Sequence, residues 1–195
     1  MLFDGLRIGY AFCGSFCTIK KSMVKLKELR LLGCDLLPIM SETTYSTDTR
    51  FGKASDIISE IEYITGKKVL KNIVETEPIG PKKLVDILVI APCTGNTLAK
   101  IKNAITDTSV TMAAKSHLRI ARPLLLCIST NDGLGGSGAN ITSLINTKNI
   151  YFTPFMQDDH INKINSLSAD FDLLIPSIES ALEGRQLQPI LKKAK

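Results

Sequence analysis

The chain has 195 residues, of which 44% are hydrophobic and 22% are charged, and it carries a formal net charge of +5. This composition is typical of a soluble globular protein and excludes a disordered chain, while the apolar runs fall far short of the roughly 20 residues that cross a bilayer. We therefore expect one domain over residues 1–195, no membrane association and, because the basic residues lack interleaved aromatic rings, no nucleic-acid binding.

Cysteine usage and the N-terminal segment indicate where the protein resides. The five cysteines form no CxxC pair and do not lie beside histidines at zinc spacing, so we predict reduced thiols and no metal site. Residues 1–10 lack the basic leader and long apolar stretch of an export signal. Both observations favour a cytoplasmic protein.

The first part of the chain predicts a strand, a helix and a second strand. The apolar segment Arg7–Phe12 is typical of a buried strand, and apolar residues recur at helical spacing between Thr18, the predicted N-cap, and Gly33. A second strand is predicted at Asp35–Met40. Residues 41–53 are rich in hydroxyl side chains and predict an accessible loop.

The middle of the chain continues this alternation. Residues 57–66 predict an amphipathic helix that ends at a glycine, and residues 75–81 predict a loop punctuated by proline and glycine. An apolar strand is predicted at residues 84–91, followed by helices at residues 97–105 and Ser109–Leu118. Strands separated by helices pair in parallel, because parallel neighbours need a crossover connection.

The last predicted elements are a strand at residues 123–128, a glycine-rich run at residues 131–140, a helix near residues 141–145 and a strand at Ile150–Phe152. The glycine run indicates a mobile loop or a lid rather than a phosphate grip. Because strands and helices alternate and the strands are apolar, the sequence predicts an α/β fold with a mainly parallel sheet flanked by helices.

Small and hydroxyl-bearing residues follow four of the predicted strands. Ligands of open parallel sheets bind outside the carboxyl ends of the strands, where glycine lets the backbone approach an anion and hydroxyl groups donate hydrogen bonds. We therefore predict one anion-binding pocket, although the same residue types also cap helices and shape turns. The candidate binding residues are Gly14, Ser15, Thr18, Ser41, Thr43, Thr94, Gly95, Asn96, Thr97, Ser129, Thr130 and Asn131.

Binding of a nicotinamide dinucleotide is a further alternative for this pocket. The loop after the first strand lacks the GxGxxG spacing of dinucleotide-binding folds, which disfavours it. Glu42, just past the second strand, has the position of the carboxylate that binds a ribose in those folds, which leaves the alternative open.

Several of these segments resemble known families. Cys13-Gly14-Ser15, the hydroxyl-rich turn after the second strand and residues 91–97 resemble the FMN-binding loops of the flavoprotein family that includes phosphopantothenoylcysteine decarboxylase. The resemblance covers residues 5–191 and implies a three-layer Rossmann-like fold of the flavoprotein type. The stretches that together resemble the family of dipicolinate synthase B subunits are residues 47–52, 91–96, 129–133, 146–150 and 186–191.

The resemblance implies a function, a cofactor and partners. The chain would act with the dipicolinate synthase A subunit, which carries NAD(P), in oxidising a dihydrodipicolinate-type intermediate to dipicolinate during sporulation, in the cytoplasm of the mother cell. FMN is the cofactor implied for this chain, or only a phosphate in the same pocket, and a homo-oligomer is expected.

Two departures from the family pattern leave other functions open. The family's decarboxylases use a histidine in the helix after the first loop, where this chain has none, and Ile128-Ser129-Thr130-Asn131 replaces their Pro-x-Met-Asn motif. The alternatives are therefore a noncatalytic scaffold or an FMN-dependent decarboxylase-like enzyme.

A dicarboxylate substrate calls for cationic side chains, because guanidinium groups bind carboxylates in a bidentate manner. The substrate candidates are Arg50, Lys115 and Arg119, with Lys53 and Arg122 as further basic residues. The alternative for each is a solvated surface charge.

The thiols and histidines supply no assignable catalytic residue. Cys13 and Cys93 follow two predicted strands and are expected to be small buried groups rather than nucleophiles. His117 and His160 are expected at the surface rather than at a metal or as a base.

Overall fold

The computed structural model of the protein describes residues 3–193. The strands are β1 (Arg7–Phe12), β2 (Asp35–Met40), β3 (Ile87–Cys93), β4 (Leu124–Thr130), β5 (Ile150–Phe152), β6 (Phe155–Met156) and β7 (Leu167–Ala169). The helices are α1 (Phe16–Leu31), α2 (Glu42–Ser46), α3 (Ala54–Thr65), α4 (Ile73–Thr76), α5 (Gly95–Lys102), α6 (Ser109–Leu118), α7 (Gly138–Ile145) and α8 (Leu174–Leu182). Two 3₁₀ turns cover Glu77–Ile79 and Phe171–Leu173.

The strands form one sheet in the order β2-β1-β3-β4-β7-β6. β1 lies parallel between two neighbours, with Ile8 opposite Leu36 of β2 and opposite Ile87 of β3. The chain therefore passes from β1 to β2 in one direction and then returns to place β3 on the other side of β1. Ligands of doubly wound sheets bind at such a switch point.

Two strands share the outer edge of β4. β5 pairs in parallel with residues 124–126, and β7 pairs antiparallel with Ser129 and Thr130. β6 then adds antiparallel to β7. The sheet is mainly parallel, and its antiparallel addition holds the C-terminal tip of β4.

Helices cover both faces of the sheet. Because crossover connections are right-handed, the connection from β1 to β2 places α1 on one face, and the connections running the other way place α5, α6 and α7 on the opposite face. α8 packs beside α1. Between the layers, β3 is buried along its whole length, and the buried Tyr10 hydroxyl lies 2.9 Å from that of Ser22, which donates to the Ala91 carbonyl at 2.6 Å.

This architecture confirms the predicted three-layer α/β fold, with some boundaries displaced. α1 begins at Phe16, before the predicted cap Thr18, whose hydroxyl donates to the Ser15 carbonyl at 2.9 Å from within the first turn. β3 begins at Ile87 rather than at residue 84, since the Leu84 amide still closes the preceding turn by donating to the Ile79 carbonyl at 3.0 Å.

Several elements differ from the predicted loops. The polar stretch after β2 contains α2, in which Ser41 accepts a hydrogen bond from the Thr44 amide at 3.3 Å. Residues 75–81 include the end of α4 and a 3₁₀ turn. β6 and β7 escaped prediction: they have two and three residues, too few to show a periodicity. β5 is equally short and was predicted from its apolar run Ile150–Phe152. No helix within residues 3–193 combines the length and the apolar character needed to cross a membrane.

Candidate functional site

A cavity of about 360 Å³ opens at the switch point, beside the C-terminal ends of β1, β2 and β3. We call it the strand-tip cavity. The residues that line it are Cys13, Gly14, Ser41, Glu42, Thr43, Thr94, Asn96, Thr97, Lys100, Asp107 and Thr108. Three strand ends and the start of α6 thus contribute polar groups to one space.

Gly14 forms the β1 side of the cavity. A Cβ atom built on it would have Phe16 at 3.6 Å and Thr43 at 4.0 Å as its nearest neighbours, which are ordinary contacts. Packing within the protein therefore does not require glycine at this position. The backbone of Gly14 remains open toward the cavity, which suits close approach of a ligand.

The β2 side of the cavity carries a carboxylate that already has partners. Glu42 accepts a hydrogen bond from the Ser109 amide at 2.9 Å, at the first turn of α6. The Ser109 hydroxyl donates to the Met40 carbonyl at 2.7 Å, which fixes this junction. Carboxylates near a helix N-terminus are stabilised by the helix dipole. The alternative of a ribose contact for Glu42 therefore competes with a structural role at α6.

The β3 side of the cavity is built by the N-cap of α5. Thr94 accepts a hydrogen bond from the Thr97 amide at 3.2 Å, and the Thr97 hydroxyl donates to the Cys13 sulfur at 3.2 Å. Burial raises the pKa of the Cys13 thiol to about 11, so this sulfur is held as a neutral thiol. Asn96 is exposed beside these caps and presents its amide to the cavity.

The mouth of the cavity holds an ion pair. The ammonium of Lys100 lies 2.8 and 3.0 Å from the two carboxylate oxygens of Asp107. Together with Glu42, the cavity lining described here therefore carries two carboxylates and one cation. An anionic ligand would meet hydroxyls and helix N-termini, but also a small excess of negative charge.

The tip of β4 lies beside the cavity and contacts the β1 loop. The hydroxyls of Ser15 and Ser129 are 2.7 Å apart, and the Thr18 hydroxyl donates to Ser129 at 3.3 Å. These three side chains join the entrance of α1 to β4. They act between elements of the protein rather than in the cavity lining.

The loop after β3 and the loop after β4 are packed tightly against each other. A Cβ atom on Gly95 would lie 2.5 Å from the Ser137 hydroxyl and 2.8 Å from the Thr130 hydroxyl. Both hydroxyls donate to Asp132, and these hydrogen bonds lower the pKa of its carboxyl group. A side chain at Gly95 would therefore displace the hydroxyls of Ser137 and Thr130, in contrast to a side chain at Gly14.

The glycine-rich run after β4 begins at a packed position, Gly133, and continues through the exposed residues 134–136. A Cβ atom on Gly133 would lie 2.7 Å from the side chain of Leu167, and the Leu134 amide donates to the Asn165 carbonyl at 3.0 Å. Gly133 is thus packed against β7, which the sequence alone did not show, and mobility of the rest of the run stays a prediction.

The structure divides the predicted binding residues into two groups at the same edge of the sheet. Those that line the strand-tip cavity are Gly14, Ser41, Thr43, Thr94, Asn96 and Thr97. Those that lie outside its lining are Ser15, Thr18, Gly95, Ser129, Thr130 and Asn131. The second group joins neighbouring loops, except that Asn131 is exposed at the tip of β4.

The predicted substrate cations do not reach the cavity. Arg50 is exposed and stacks over the Phe51 ring at 4.9 Å. Lys115 and Arg119 lie near the far end of α6, with Lys115 about 10 Å along the helix axis from Thr108. Arg122 pairs with Asp86 at 3.1 Å, at the opposite edge of the sheet.

The two histidines differ in their environments. His160 is exposed as expected, but the surface assignment of His117 is wrong, because it is fully buried. Its Nε2 lies 3.1 Å from the Pro123 carbonyl, and its Nδ1 has no hydrogen-bond partner within residues 3–193. Burial lowers the pKa of His117 to about 4. Neither histidine lines the cavity.

Sequence reasoning missed Lys100, Asp107 and Thr108 as residues of the cavity. Lys100 lies four residues after Asn96 on α5, so the two share one helix face, and this spacing was a usable signal. The turn between α5 and α6 brings Asp107 and Thr108 to the cavity. No local sequence pattern predicts that placement.

A sequence profile of the flavoprotein family matches residues 3–184, a segment that includes the whole cavity lining. The chain belongs to the flavoprotein family. It is 47% identical over 187 residues to the B subunit of dipicolinate synthase from Bacillus subtilis (strain 168), covering 96% of this chain and 94% of the relative. This similarity confirms the resemblance predicted from the sequence segments.

Solved structures agree with this assignment of the flavoprotein. The B subunit of dipicolinate synthase from Bacillus halodurans matches with a TM-score of 0.91 at 44% identity, covering 99% of both chains. DmrB of Burkholderia xenovorans, a cubic protein cage for redox transfer solved in complex with FMN, matches with a TM-score of 0.66. That match is 16% identical and covers 91% of this chain and 96% of DmrB, so it shows a shared fold alone.

Proposed function

We propose that this flavoprotein is the B subunit of a dipicolinate synthase. With an A subunit that carries NAD(P), it takes part in the oxidation of a dihydrodipicolinate-type intermediate to dipicolinate during sporulation, in the cytoplasm of the mother cell. The observation that carries the proposal is the 47% identity to a dipicolinate synthase B subunit along 96% of the chain. The reaction removes a hydride and a proton from the ring, so the assembled site needs an electron acceptor.

We assign the phosphate-bearing cofactor of the family, FMN, to the strand-tip cavity. Gly14 supports this assignment, because its open backbone has no packing reason to be glycine and would let a phosphate approach its amide. Ser41, Thr43 and Thr94 add hydroxyl groups around the same space. When bound, FMN supplies a two-electron acceptor.

Other residues of the flavoprotein would position this site rather than bind the cofactor. The hydroxyls of Ser15, Thr18 and Ser129 hold the loop that carries Gly14 against β4. The exposed amide of Asn131 lies on the loop after β4 and is suited to donate to a substrate carboxylate, whereas that of Asn96, in the cavity lining, is assigned to FMN.

Turnover by the reconstituted complex tests the proposed role. The A subunit is mixed with the purified chain and the pathway's dihydrodipicolinate-type intermediate, and dipicolinate is followed by its ultraviolet absorbance, with and without this chain. A faster reaction with the chain supports a catalytic contribution. Equal rates would contradict it and favour the scaffold role.

Flavin binding tests the cofactor assignment separately. FMN fluorescence is titrated with the wild-type chain, with Asn96→Ala in the cavity, and with Asn146→Ala, an amide at the end of α7 that lies outside the cavity. We expect weaker binding for Asn96→Ala and wild-type binding for Asn146→Ala. Absence of FMN binding by the wild-type chain would remove the assignment.

A noncatalytic scaffold is the second candidate. It is favoured by the excess of carboxylates over cations in the cavity lining and by the position of both histidines outside it. Loss of turnover in Asn96→Ala with an intact complex of the two subunits would contradict this candidate. We further propose that the chain is a homo-oligomer, which light scattering of the purified protein would test.

A further inference from the structure

Lys100 and Asp107 occupy different depths at the mouth of the strand-tip cavity. The side chain of Lys100 is 22% exposed and that of Asp107 is 58% exposed. Lys100 projects from the second turn of α5, whereas Asp107 belongs to the turn that leads into α6. The cation is thus anchored in the wall, and its carboxylate partner reaches it from the solvent side.

The ammonium of Lys100 is the positive charge available to a ligand in the part of the lining that the structure describes. Glu42 and Asp107 place two negative charges around the same cavity. Glu42 is engaged with the Ser109 amide, and the ammonium is held by Asp107, whose two carboxylate oxygens lie 2.8 and 3.0 Å from Nζ. An entering oxyanion that binds the ammonium therefore competes with Asp107 for its positive charge.

The difference in exposure determines which residue of the Lys100–Asp107 pair moves when a ligand enters the cavity. An exposed carboxylate is rehydrated when it leaves an ion pair, so its release costs little, since exposed ion pairs contribute little to stability. The largely buried stem of Lys100 keeps the ammonium at the cavity.

We infer that Lys100 is the residue by which this cavity recognises a doubly charged oxyanion, and that Asp107 is a built-in competitor which the ligand displaces. The inference rests on the proposed function, since it concerns the same cavity and its phosphate or dicarboxylate ligand. Lys100 thereby sets the preference for anions over neutral analogues, and Asp107 sets the affinity.

A purely structural ion pair between α5 and α6 makes the opposite prediction for one substitution. If Asp107 only holds the turn, Asp107→Asn loosens it and leaves ligand affinity equal or weaker. If Asp107 competes with the ligand, Asp107→Asn frees the ammonium and tightens binding. Glu42→Gln removes a negative charge from the same cavity without freeing the ammonium, so tightening beyond that of Glu42→Gln separates the two roles.

The experiment measures dissociation constants of the full-length chain for FMN, riboflavin and dipicolinate by fluorescence titration and calorimetry. The variants are Lys100→Met, Lys100→Arg, Asp107→Asn and Glu42→Gln. Lys27→Met and Glu60→Gln are the matched controls, because these two residues form an exposed pair at 2.7 Å between α1 and α3 and change the net charge equally. Thermal unfolding of each variant is recorded alongside.

We expect Lys100→Met to weaken binding of FMN or dipicolinate about tenfold and Asp107→Asn to tighten it about threefold to tenfold. Lys100→Arg should keep most of the affinity, and the controls should not change it. A shift for FMN without one for riboflavin identifies the phosphate as the ligand group, and a shift for dipicolinate identifies a carboxylate.

Two results would overturn the inference while leaving the proposed function in place. One is wild-type affinity for FMN and dipicolinate in Lys100→Met. The other is binding by Asp107→Asn that is no tighter than that by Glu42→Gln, with or without a lower unfolding temperature. If the wild-type chain binds neither ligand, the assignment of FMN to this cavity fails and the inference fails with it, while the turnover test still decides the proposed role.

Discussion

Gly14→Ala should weaken ligand binding and Gly95→Ala should lower stability, although both glycines stand at helix entrances on the same edge of the sheet. At Gly14 the added methyl group has ordinary contacts, at 3.6 Å from Phe16 and 4.0 Å from Thr43, and it occupies cavity space. At Gly95 the methyl group would lie 2.5 Å from the Ser137 hydroxyl. One change concerns the ligand, and the other concerns the fold.

The expected magnitudes follow from these distances. Overpacking by one methyl group costs about 1–3 kcal/mol where neighbours cannot move, which corresponds to about 5- to 150-fold in a dissociation constant. Gly14→Ala should weaken FMN binding within this range, while its free energy of unfolding changes by less than about 1 kcal/mol. Gly95→Ala should lose about 1–3 kcal/mol of stability, because Thr130 and Ser137 are tied to Asp132.

Two measurements on each variant decide the matter. Urea unfolding followed by circular dichroism gives the free energy of unfolding, and FMN fluorescence quenching gives the dissociation constant. Wild-type FMN affinity in Gly14→Ala would show that the flavin does not approach Gly14. Wild-type stability in Gly95→Ala would show that the loops after β3 and β4 are not in close contact.

Three further substitutions or conditions probe the fold and the cavity. Burial lowers the pKa of His117 to about 4 from an ordinary 6.5, so the unfolded chain takes up a proton that the folded chain does not; unfolding free energy should fall by up to about 3 kcal/mol between pH 7 and pH 4. Urea titrations across this range check the slope, which His117→Gln should reduce. Glu42→Gln keeps an acceptor for the Ser109 amide and removes a negative charge from the cavity, so FMN should bind about threefold more tightly in fluorescence titrations, and weaker binding would contradict this reasoning. Ser129→Ala should cost about 1 kcal/mol in urea unfolding, since Ser15 and Thr18 retain each other as partners, and a loss far above that would contradict the present hydrogen-bond assignment.

The separation of roles between Lys100 and Asp107 bears on how such a cavity avoids nonspecific anions. A free lysine at a strand-tip cavity would bind any phosphate present. A paired lysine binds those anions that also satisfy the hydroxyls and amides around it, because the ligand must compensate for the displaced carboxylate. The excess of carboxylates in the lining is consistent with such selectivity.

Local sequence pattern was sufficient where one periodicity governs an element. β1, β2 and α6 have the predicted bounds, since each is an apolar or amphipathic run between clear turn or capping residues. The α/β class followed from the alternation of such elements. The positions of glycine and hydroxyl residues after the strands were likewise visible, and with them the edge of the sheet at which ligands bind.

Tertiary structure decided which of those residues face the cavity and which join loops. Gly14 and Gly95 are equivalent in sequence, yet only the packing of the β4 loop places hydroxyl groups 2.5 and 2.8 Å from a Cβ atom at Gly95. His117 is buried because of contacts with the segment before β4, which lies outside its own helix.

The amino-acid sequence by itself determined the elements, their alternation and the sheet edge that carries the polar loops, because these depend on interactions between near neighbours in the chain. The folded structure alone decided that Lys100 and Asp107 meet at the cavity and that Arg50, Lys115 and Arg119 do not. The physical reason is that these distances depend on strand order and on the turns between helices, which bring together residues that no local periodicity connects.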